Sequence, residues 1–227
     1  MLVKSLREND HLDDLRETFN TLRSYNMKLN PSKCVFGVTA GKFLGFMVSQ
    51  RGIEVNSEKV RAIIELGPPR TVKEVRSLNG KIAALNRFVS KSTDKCLPFF
   101  RILRKSFEWT DECQKAFEDL KKYLSSPPLL SLSKSGEELY LYIAVSQGVV
   151  SAALMREEEG SQLPVYFVSR AFRGAEERYL RMEKLAFALV TVVRKLKSYF
   201  QAHTIIVLMD QPLKRAMSSL EEWPYGQ

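Results

Sequence analysis

Residues 139–155 have the sequence LYLYIAVSQGVVSAALM, in which two apolar runs are separated by a polar turn at Gln147-Gly148. Short runs rich in β-branched, aromatic and other apolar residues, divided by a turn, are typical of neighbouring β-strands. We therefore predict one strand at Leu139–Val145 and a second at Val149–Met155. This pair of strands decides the fold class of the C-terminal part of the chain.

The sequence that follows this pair alternates between strand and helix patterns. Further strands are predicted at Pro164–Val168 and Thr204–Met209, with a long helix at Ala175–Phe200 between them. The inward apolar stripe of that helix consists of Met182, Leu185, Leu189, Val193 and Leu196. Another helix is predicted at Gln211–Glu222. Three strands, a helix, a strand and a helix indicate a mixed sheet with flanking helices.

The N-terminal half is predicted to combine helices with short strands. Apolar residues at helical spacing predict a helix over residues 10–26, and another over residues 57–66 ends at Gly67-Pro68-Pro69. Short strands are predicted at Cys34–Val38, Phe43–Val48 and Ile53–Val55, with a hairpin turn at residues 49–52. The whole chain is thus assigned to the α+β or mixed α/β class.

The region between these two parts is predicted to contain one helix between two irregular segments. A loop is predicted at residues 91–98. Thr110 is predicted to cap a helix that has Asp111 and Glu112 in its first turn and extends to about Leu124. Residues 127–138 are predicted to be a linker.

The helix that begins at Thr71 has the most regular pattern in the chain. Thr71-Val72-Lys73-Glu74 has the spacing of a capping box, and the apolar stripe continues to Val89. The opposite face consists of Lys73, Arg76, Gly80, Ala84, Arg87 and Lys91, and Lys81 is a further candidate for binding. Small residues permit close approach of another surface, and the cations beside them can neutralise phosphates. A nucleic-acid duplex, a solvated helix with an incidental glycine, and a second helix packed at Gly80 and Ala84 all fit this pattern.

The positive charge of the chain is concentrated in its first half. Residues 1–107 contain 20 Lys+Arg and 10 Asp+Glu, a balance of +10. Residues 108–227 contain 15 and 16, a balance of −1. A basic half beside a neutral half favours a polyanionic partner for the first, with a solvated basic surface as the alternative.

Other features of the composition exclude several classes of protein. The three cysteines are far apart and lack Cys-x-x-Cys spacing, and there are only two histidines. This argues against a disulfide framework, a zinc site and a histidine-based catalytic site. No stretch approaches the roughly 18 apolar residues of a membrane span, and no signal peptide opens the chain. We therefore expect an intracellular protein with no membrane partner, in a cytoplasmic particle or the nucleus.

A series of motifs spread over the chain resembles one family in the same order. The motifs are Asn30–Cys34, Phe43–Phe46, Thr71–Glu74, Arg87–Val89, Phe107–Thr110, Gln114–Phe117, Pro164–Ala171 and Asp210–Leu213. Together they resemble the Pol polyprotein of gypsy-type long-terminal-repeat retrotransposons, especially those of plants. The resemblance implies the end of a reverse transcriptase palm with its primer-grip hairpin, a thumb, a connection and an RNase H-like domain.

The resemblance also implies domain boundaries. These are residues 1–55 for the palm and primer grip, 56–106 for the helical thumb, 107–134 for the connection helix and linker, and 135–227 for a C-terminally truncated RNase H-like domain. In the family, a Tyr-x-Asp-Asp turn that binds the polymerase metals lies just before the segment matching Met1-Leu2-Val3, so we do not expect those aspartates here. Leu44, Gly45 and Phe46 of the primer grip and the thumb face are expected to contact a template–primer duplex.

An active RNase H-like domain needs three carboxylates that hold two Mg²⁺ ions. The resemblance aligns Ala144 with the first carboxylate, Leu185 with the second and Asp210 with the third. A single carboxylate cannot offset the mutual repulsion of two divalent cations. We therefore expect no intact catalytic site, no metal site and no cofactor in this chain.

Three functions remain compatible with the sequence. The first is a scaffold that binds a template–primer or an RNA/DNA hybrid and has the remainder of the Pol polyprotein as its partner. The second is a residual RNase H that cleaves RNA in hybrids. The third is a host-domesticated or degraded element product with an interaction role.

Overall fold

The computed structural model describes residues 3, 5, 7–43, 45–104 and 107–209. The chain divides into two compact units, Met1–Gln50 and Arg51–Gln227. None of the helices in the described ranges is both long and apolar enough to cross a membrane.

Within its described residues, the first unit contains one α-helix and a β-hairpin. Helix α1 is His11–Ser24, and strands β1 (Ala40–Phe43) and β2 (Phe46–Ser49) pair antiparallel. The predicted single strand Phe43–Val48 is wrong, because Phe43 pairs with Phe46 across a tight turn in which Gly45 has a φ of +81°. Only glycine adopts that conformation at little cost.

A strand predicted at Cys34–Val38 is also wrong. The side chain of Asn30 accepts a hydrogen bond from the Ser32 N–H at 3.0 Å and caps a 3₁₀ turn at Pro31–Lys33. Gly37 then adopts a φ of +64°. A side-chain cap and a left-handed glycine favour turns over extended strands, and they outweigh the apolar composition of the segment.

The helical part of the second unit follows a short strand. Strand β3 is Gly52–Val55, and the helices are α2 (Ser57–Ile64), α3 (Val72–Ala83), α4 (Ser92–Arg104) and α5 (Asp111–Ser125). Thr110 caps α5 as predicted, its side chain accepting from the Cys113 N–H. The loop predicted at residues 91–98 is wrong, because α4 begins at Ser92 and buries Cys96, Phe99 and Ile102. Burial of that apolar stripe outweighs the polar residues at the helix start and Pro98 within the helix.

Up to residue 209, the C-terminal part of the second unit is a four-stranded sheet with helices. The strands are β4 (Leu139–Val145), β5 (Val149–Glu158), β6 (Ser161–Ala171) and β7 (Ile205–Leu208), in the order β6-β5-β4-β7. Strand β4 is antiparallel to β5 and parallel to β7. The mixed α/β class is confirmed, β4 has its predicted bounds, and β5 and β6 are longer than predicted.

The long helix predicted at Ala175–Phe200 is interrupted at both ends. The structure has a 3₁₀ turn at Gly174–Arg178, then α6 (Arg181–Lys195) and α7 (Lys197–Ala202). The buried face of α6 consists of Lys184, Leu185, Ala188 and Val192. Helix α6 packs on one face of the sheet, where Leu139, Leu141 and Ile143 point into the same apolar core.

An ion cluster joins the beginning of β4 to the far end of β5. The guanidinium of Arg156, whose side chain is 5% exposed, donates to both carboxylate oxygens of Glu137 at 3.0–3.1 Å and to Glu158 at 3.0 Å. Lys134 pairs with Glu158 on the solvent side of the cluster. Burial by itself raises the pKa of Glu137, but the hydrogen bonds from Arg156 and the Lys134 backbone outweigh it and lower this pKa. Hydrogen bonds from Lys134 and Arg156 also lower the pKa of Glu158.

These lowered carboxylate pKa values predict a pH dependence of stability. A group with a lowered folded-state pKa stabilises the fold above its ordinary value and loses that contribution as the pH falls through the folded-state value. We expect the free energy of unfolding to fall as the pH drops below about 4.5, the ordinary glutamate value. Urea titrations at several pH values check this, and a Glu137→Ala variant should show a shallower loss. Parallel curves for the two proteins would contradict it.

Candidate nucleic-acid interface

The exposed face of α3 presents cations and small residues together. Lys73, Arg76, Gly80 and Ala84 are all exposed, whereas the opposite face buries Val75, Leu78 and Ile82 in the core. The burial of these three side chains fixes the rotation of the helix about its axis, and so fixes which face meets solvent.

The start of α3 has the predicted cap in a modified form. The Thr71 side chain accepts from the Glu74 N–H at 3.2 Å. The Glu74 carboxylate accepts from the N–H of Arg70, one residue before the cap, at 2.7 Å. These bonds satisfy the N–H groups of Arg70 and Glu74 and so stabilise the start of the helix. Lys73 and Arg76 lie in this stabilised segment.

Gly80 lies at an open position in the middle of this face. A Cβ added there would meet no heavy atom within 4 Å. Ala84 is exposed as well. Within the described residues, the prediction that a second helix packs closely at Gly80 and Ala84 is therefore wrong, and a solvated face or a bound partner remains.

Arg87 does not continue the α3 face, which corrects the prediction of one helix through residue 89. Helix α3 ends at Ala83, and residues 86–88 form a 3₁₀ turn that buries Phe88. The Arg87 guanidinium donates to the Tyr199 hydroxyl at 3.2 Å and lies 4.6 Å from the centre of the Tyr166 ring. Burial raises the pKa of Tyr199, although the charge of Arg87 opposes this. Arg87 thus contacts β6 and α7.

Lys81 and Lys91 also lie away from the α3 face. The Lys81 ammonium donates to the Ala62 carbonyl of α2 at 3.3 Å, because it projects from the side of α3 that meets α2. Lys91 is exposed, in a left-handed turn with a φ of +52° that precedes α4. Four of the six predicted face residues therefore share one surface, namely Lys73, Arg76, Gly80 and Ala84.

Two of the predicted primer-grip residues, Gly45 and Phe46, lie at the hairpin of the first unit. Gly45 forms the left-handed turn position, and Phe46 is half-buried at the first position of β2. Leu44 lies outside the described residues. The hairpin is thus present, with Gly45 and Phe46 at its turn.

A polar seam that the sequence pattern did not reveal joins the predicted thumb to the sheet. The Asn86 amide donates to the Ser169 carbonyl at 3.4 Å, and the Thr93 N–H donates to the Ser169 hydroxyl at 3.0 Å. The Ser151 hydroxyl donates to the Asp94 carboxylate at 3.2 Å. Thr93, Ser151 and Ser169 are buried. Buried hydrogen bonds of this kind hold the 3₁₀ turn and α4 in one orientation on β5 and β6.

A groove of about 520 Å³ lies between the start of α4 and the sheet. It is lined by Ser90, Lys91, Tyr142, Ile143, Ala144, Ser151, Ala152, Ala153, Leu208 and Met209. Its floor is largely small and apolar, and Lys91 contributes a cation to its rim. Asp94 is connected to the groove by a hydrogen bond that its carboxylate accepts from Ser151, one of the lining residues.

The structure places Ala144 and Leu185, the two described residues that the resemblance aligns with metal-binding carboxylates, in different surroundings. Ala144 is exposed in the groove, and it pairs across the strands with Ser151. Its neighbour Ile143 belongs to the core under α6, so by strand alternation Ala144 points to the other face of the sheet. Leu185 is 0% exposed on the buried face of α6. Asp210 lies outside the described residues.

The residues at these positions do not fit a divalent cation. Alanine and leucine side chains carry no donor atom, and Mg²⁺ requires oxygen ligands. In residues 3, 5, 7–43, 45–104 and 107–209, no group of three or more His, Cys, Asp or Glu side chains is placed to hold a metal ion.

Comparison with protein families identifies the C-terminal part of the chain. Residues 109–207 match the RNase H-like domain found in reverse transcriptase. The match begins within the segment predicted as the connection.

Comparison with whole sequences finds retrotransposon polyproteins. The chain is 31% identical over 212 residues to the retrovirus-related Pol polyprotein from transposon 412 of Drosophila melanogaster, which covers 92% of this chain and 17% of that protein. It is 28% identical to the corresponding polyprotein from transposon opus, over 96% of this chain and 23% of the relative. The Tf2-3 polyprotein of Schizosaccharomyces pombe is 24% identical over 89% of this chain and 15% of its own length. This chain thus spans less than a quarter of each of these relatives.

Solved structures share the fold over nearly the whole chain. The foamy viral protease-reverse transcriptase in complex with RNA/DNA hybrid has a TM-score of 0.78 at 21% identity, covering 97% of this chain and 30% of that one. The same protein in complex with dsDNA has a TM-score of 0.73 at 22% identity, covering 95% and 45%. At this level of identity the likeness concerns the fold.

Proposed function

We propose that this chain is a nucleic-acid-binding scaffold. Residues 109–207 match the RNase H-like domain found in reverse transcriptase, and the chain is similar to part of a retroelement Pol polyprotein. It holds an RNA/DNA hybrid or a template–primer duplex against the exposed face of α3. The main support for this proposal is the exposed surface of α3, which combines two cations with open space at Gly80. It is formed by Lys73, Arg76, Gly80 and Ala84. The foamy viral neighbours, whose structures hold dsDNA and an RNA/DNA hybrid, support this choice of ligand.

The chemistry of this surface suits a phosphate backbone. Lysine and arginine neutralise phosphates and release counterions, which contributes affinity without sequence preference. The small residues between the cations keep the helix backbone close to the surface, so a duplex can approach it without steric conflict. Lys91 on the groove rim and the hairpin residues Gly45 and Phe46 are additional proposed contacts.

The partner proposed for the first unit is the remainder of the Pol polyprotein. That unit exposes a set of large apolar side chains, Leu12, Tyr25, Met27, Val35, Phe36 and Val38. Exposed apolar side chains of this number are typical of surfaces that pack against another domain. The small share of the relatives' length that this chain spans supports the same proposal.

The type of element and its location are also proposals. The motifs Asn30–Cys34 and Pro164–Ala171 support a gypsy-type element, and their sequences are similar to those of plant elements. Such a polyprotein acts in an element particle of the cytoplasm or in the nucleus. The RNase H-like domain, with Ala144 and Leu185 at two ligand positions, is proposed to be non-catalytic.

Gly80→Ala separates the helix-stability role of this position from its proposed binding role. Because the added methyl group meets open space in a helix interior, we expect the free energy of unfolding to rise by about 0.5–1 kcal/mol. Because the same methyl group stands where the duplex approaches, we expect hybrid affinity to fall by about three- to tenfold. Urea denaturation and fluorescence anisotropy with a labelled RNA/DNA hybrid measure the two effects.

The matched control is Gly67→Ala, which also adds a methyl group in open space but lies in the loop before α3. Its hybrid affinity should equal that of the wild type. A Gly80→Ala protein that binds as tightly as the control would remove the proposed contact at the centre of the α3 face.

A further inference from the structure

The groove beside the start of α4 is an open site on the face of the sheet opposite α6. Tyr142, Ala144 and Leu208 line it, and all three side chains are exposed. The volume of about 520 Å³ falls within the range of small-ligand sites, which extends from about 300 to 1,000 Å³. The groove is therefore large enough for a ligand that the α3 face does not hold.

The floor of the groove combines small side chains with one aromatic ring. Tyr142 pairs with Ala153 across β4 and β5, and Ala144 pairs with Ser151. Because side chains alternate along a strand and directly paired residues share a face, these four side chains lie on the same face of the sheet. Two alanine methyl groups beside a tyrosine leave room for a planar ring to lie on the sheet.

Tyr142 is held in position from the neighbouring end of β6. Its hydroxyl donates to the Oε1 atom of Gln162 at 2.9 Å, while its side chain remains 38% exposed. Exposed aromatic side chains on a sheet are platforms on which unpaired nucleic-acid bases stack. Every base has a π face, so such stacking needs no particular sequence.

A cation stands at the rim of this apolar floor. Lys91 is exposed, in a left-handed turn with a φ of +52° directly before α4. The nearby ammonium of Lys95 is held elsewhere, 3.6 Å from the centre of the Tyr123 ring. None of the described residues that line the groove is acidic. An apolar floor with a cation at its rim suits a ligand that has a planar ring and an anionic group, whereas an apolar protein side chain would use only the floor.

We propose that the groove binds an unpaired nucleobase from a single-stranded extension of the duplex, with Lys91 contacting the phosphate of that nucleotide. This inference rests on the proposed function, since the same chain holds the duplex at α3. The 3₁₀ turn at residues 86–88 connects the end of α3 to the rim at Ser90 and Lys91. The duplex surface and the groove are thus joined by a short segment of the same unit.

Fluorescence anisotropy compares a blunt RNA/DNA hybrid with the same hybrid carrying a short single-stranded extension. We expect the extension to raise the affinity of the full chain by about five- to tenfold, because one base gains a stacking partner. An extension of abasic nucleotides keeps the phosphates and lacks the bases, so its gain should stay below about twofold. Equal gains from the two extensions overturn the proposal, because the phosphates alone would then account for the affinity.

Two kinds of variant test whether the gain arises in the groove. Ala144→Leu fills the groove from an exposed strand position, Tyr142→Ala removes the ring, and Tyr142→Phe keeps it. We expect the gain to fall below about twofold in the first two variants and to persist in Tyr142→Phe. The matched control Ala202→Leu makes the same change at an exposed position at the end of α7 and should keep the wild-type gain. An unchanged gain in Ala144→Leu and Tyr142→Ala overturns the proposal and leaves the groove to an apolar protein segment.

The failure of this proposal is distinguishable from the failure of the proposed function. Affinity for the blunt hybrid reports on the α3 surface, and the gain from the extension reports on the groove. If the wild type binds the blunt hybrid and gains nothing from the extension, the groove proposal alone is wrong. If it binds neither hybrid, the proposed function is wrong and the groove proposal falls with it.

Discussion

Reversing both charges of the α3 face in the variant K73E/R76E is expected to weaken binding of an RNA/DNA hybrid by about 10- to 100-fold at low salt. Both side chains are exposed on the first half of a capped helix, so the substitutions leave the buried stripe of α3 untouched. Two phosphate contacts are lost, and two carboxylates then repel the backbone. The slope of log affinity against log salt should decrease in magnitude by about two.

Fluorescence anisotropy with a labelled hybrid at several salt concentrations measures both quantities. The matched control is R194E/K195E, which makes the same change in net charge at exposed positions near the end of α6. If affinity simply follows net charge, the two variants weaken binding equally, and the proposed α3 surface is then wrong. Arg87 is not part of this variant, because its contacts with Tyr166 and Tyr199 would mix an effect on binding with an effect on folding.

Glu137→Ala is expected to lower the free energy of unfolding by about 3 kcal/mol. Arg156 is 5% exposed and Glu137 is 17% exposed, so their pair is largely shielded from water. Removing Glu137 deletes three hydrogen bonds to the guanidinium and leaves a buried charge with the partly exposed Glu158. Removing one partner from a buried pair costs more than the net value of the pair, because the other charge stays desolvated.

Urea denaturation at neutral pH tests this prediction. The control Lys134→Ala removes only the outer member of the cluster, whose side chain is 65% exposed, and should cost less than about 1 kcal/mol. Equal losses for the two variants would show that the buried cluster does not stabilise the start of β4. The hybrid affinity of both variants should remain that of the wild type at temperatures where they are folded.

The sequence pattern predicted those elements whose local signals agree with their tertiary surroundings. Strand β4 was predicted correctly because Leu139, Leu141 and Ile143 alternate with outward residues, and the same three side chains fill the core. The start of α3 was predicted correctly because Thr71 and Glu74 both bond to backbone N–H groups there. In both cases the residues that determine the element lie within one short segment of the sequence.

Other elements depend on contacts that no short segment contains. Helix α4 looks like a loop at Ser92 and Pro98, and it forms because its apolar side chains are buried. The apolar stripe of α3 continues past Ala83, but the backbone tightens into a 3₁₀ turn that docks on the sheet. Arg87 meets Tyr199, 112 residues later, so its contact with α7 has no local signature.

The candidate site was predictable to a similar extent. The basic, small-residue face of α3 was visible at helical spacing, and four of its six residues share one surface. Outside this site, the burial of Lys184 on α6 was not visible, because a lysine near the start of an amphipathic helix is ordinarily solvated. Its ammonium donates to the Gln147 carbonyl in the turn after β4, a contact that sequence spacing does not show.

We propose that the chain holds a hybrid without cutting it, and a single cleavage assay tests both parts of this proposal. The full chain is incubated with an end-labelled RNA/DNA hybrid and Mn²⁺, and samples are resolved on native and denaturing gels. We expect a retarded complex whose RNA strand stays intact. Cleavage of the RNA strand that Asp210→Asn abolishes would contradict it.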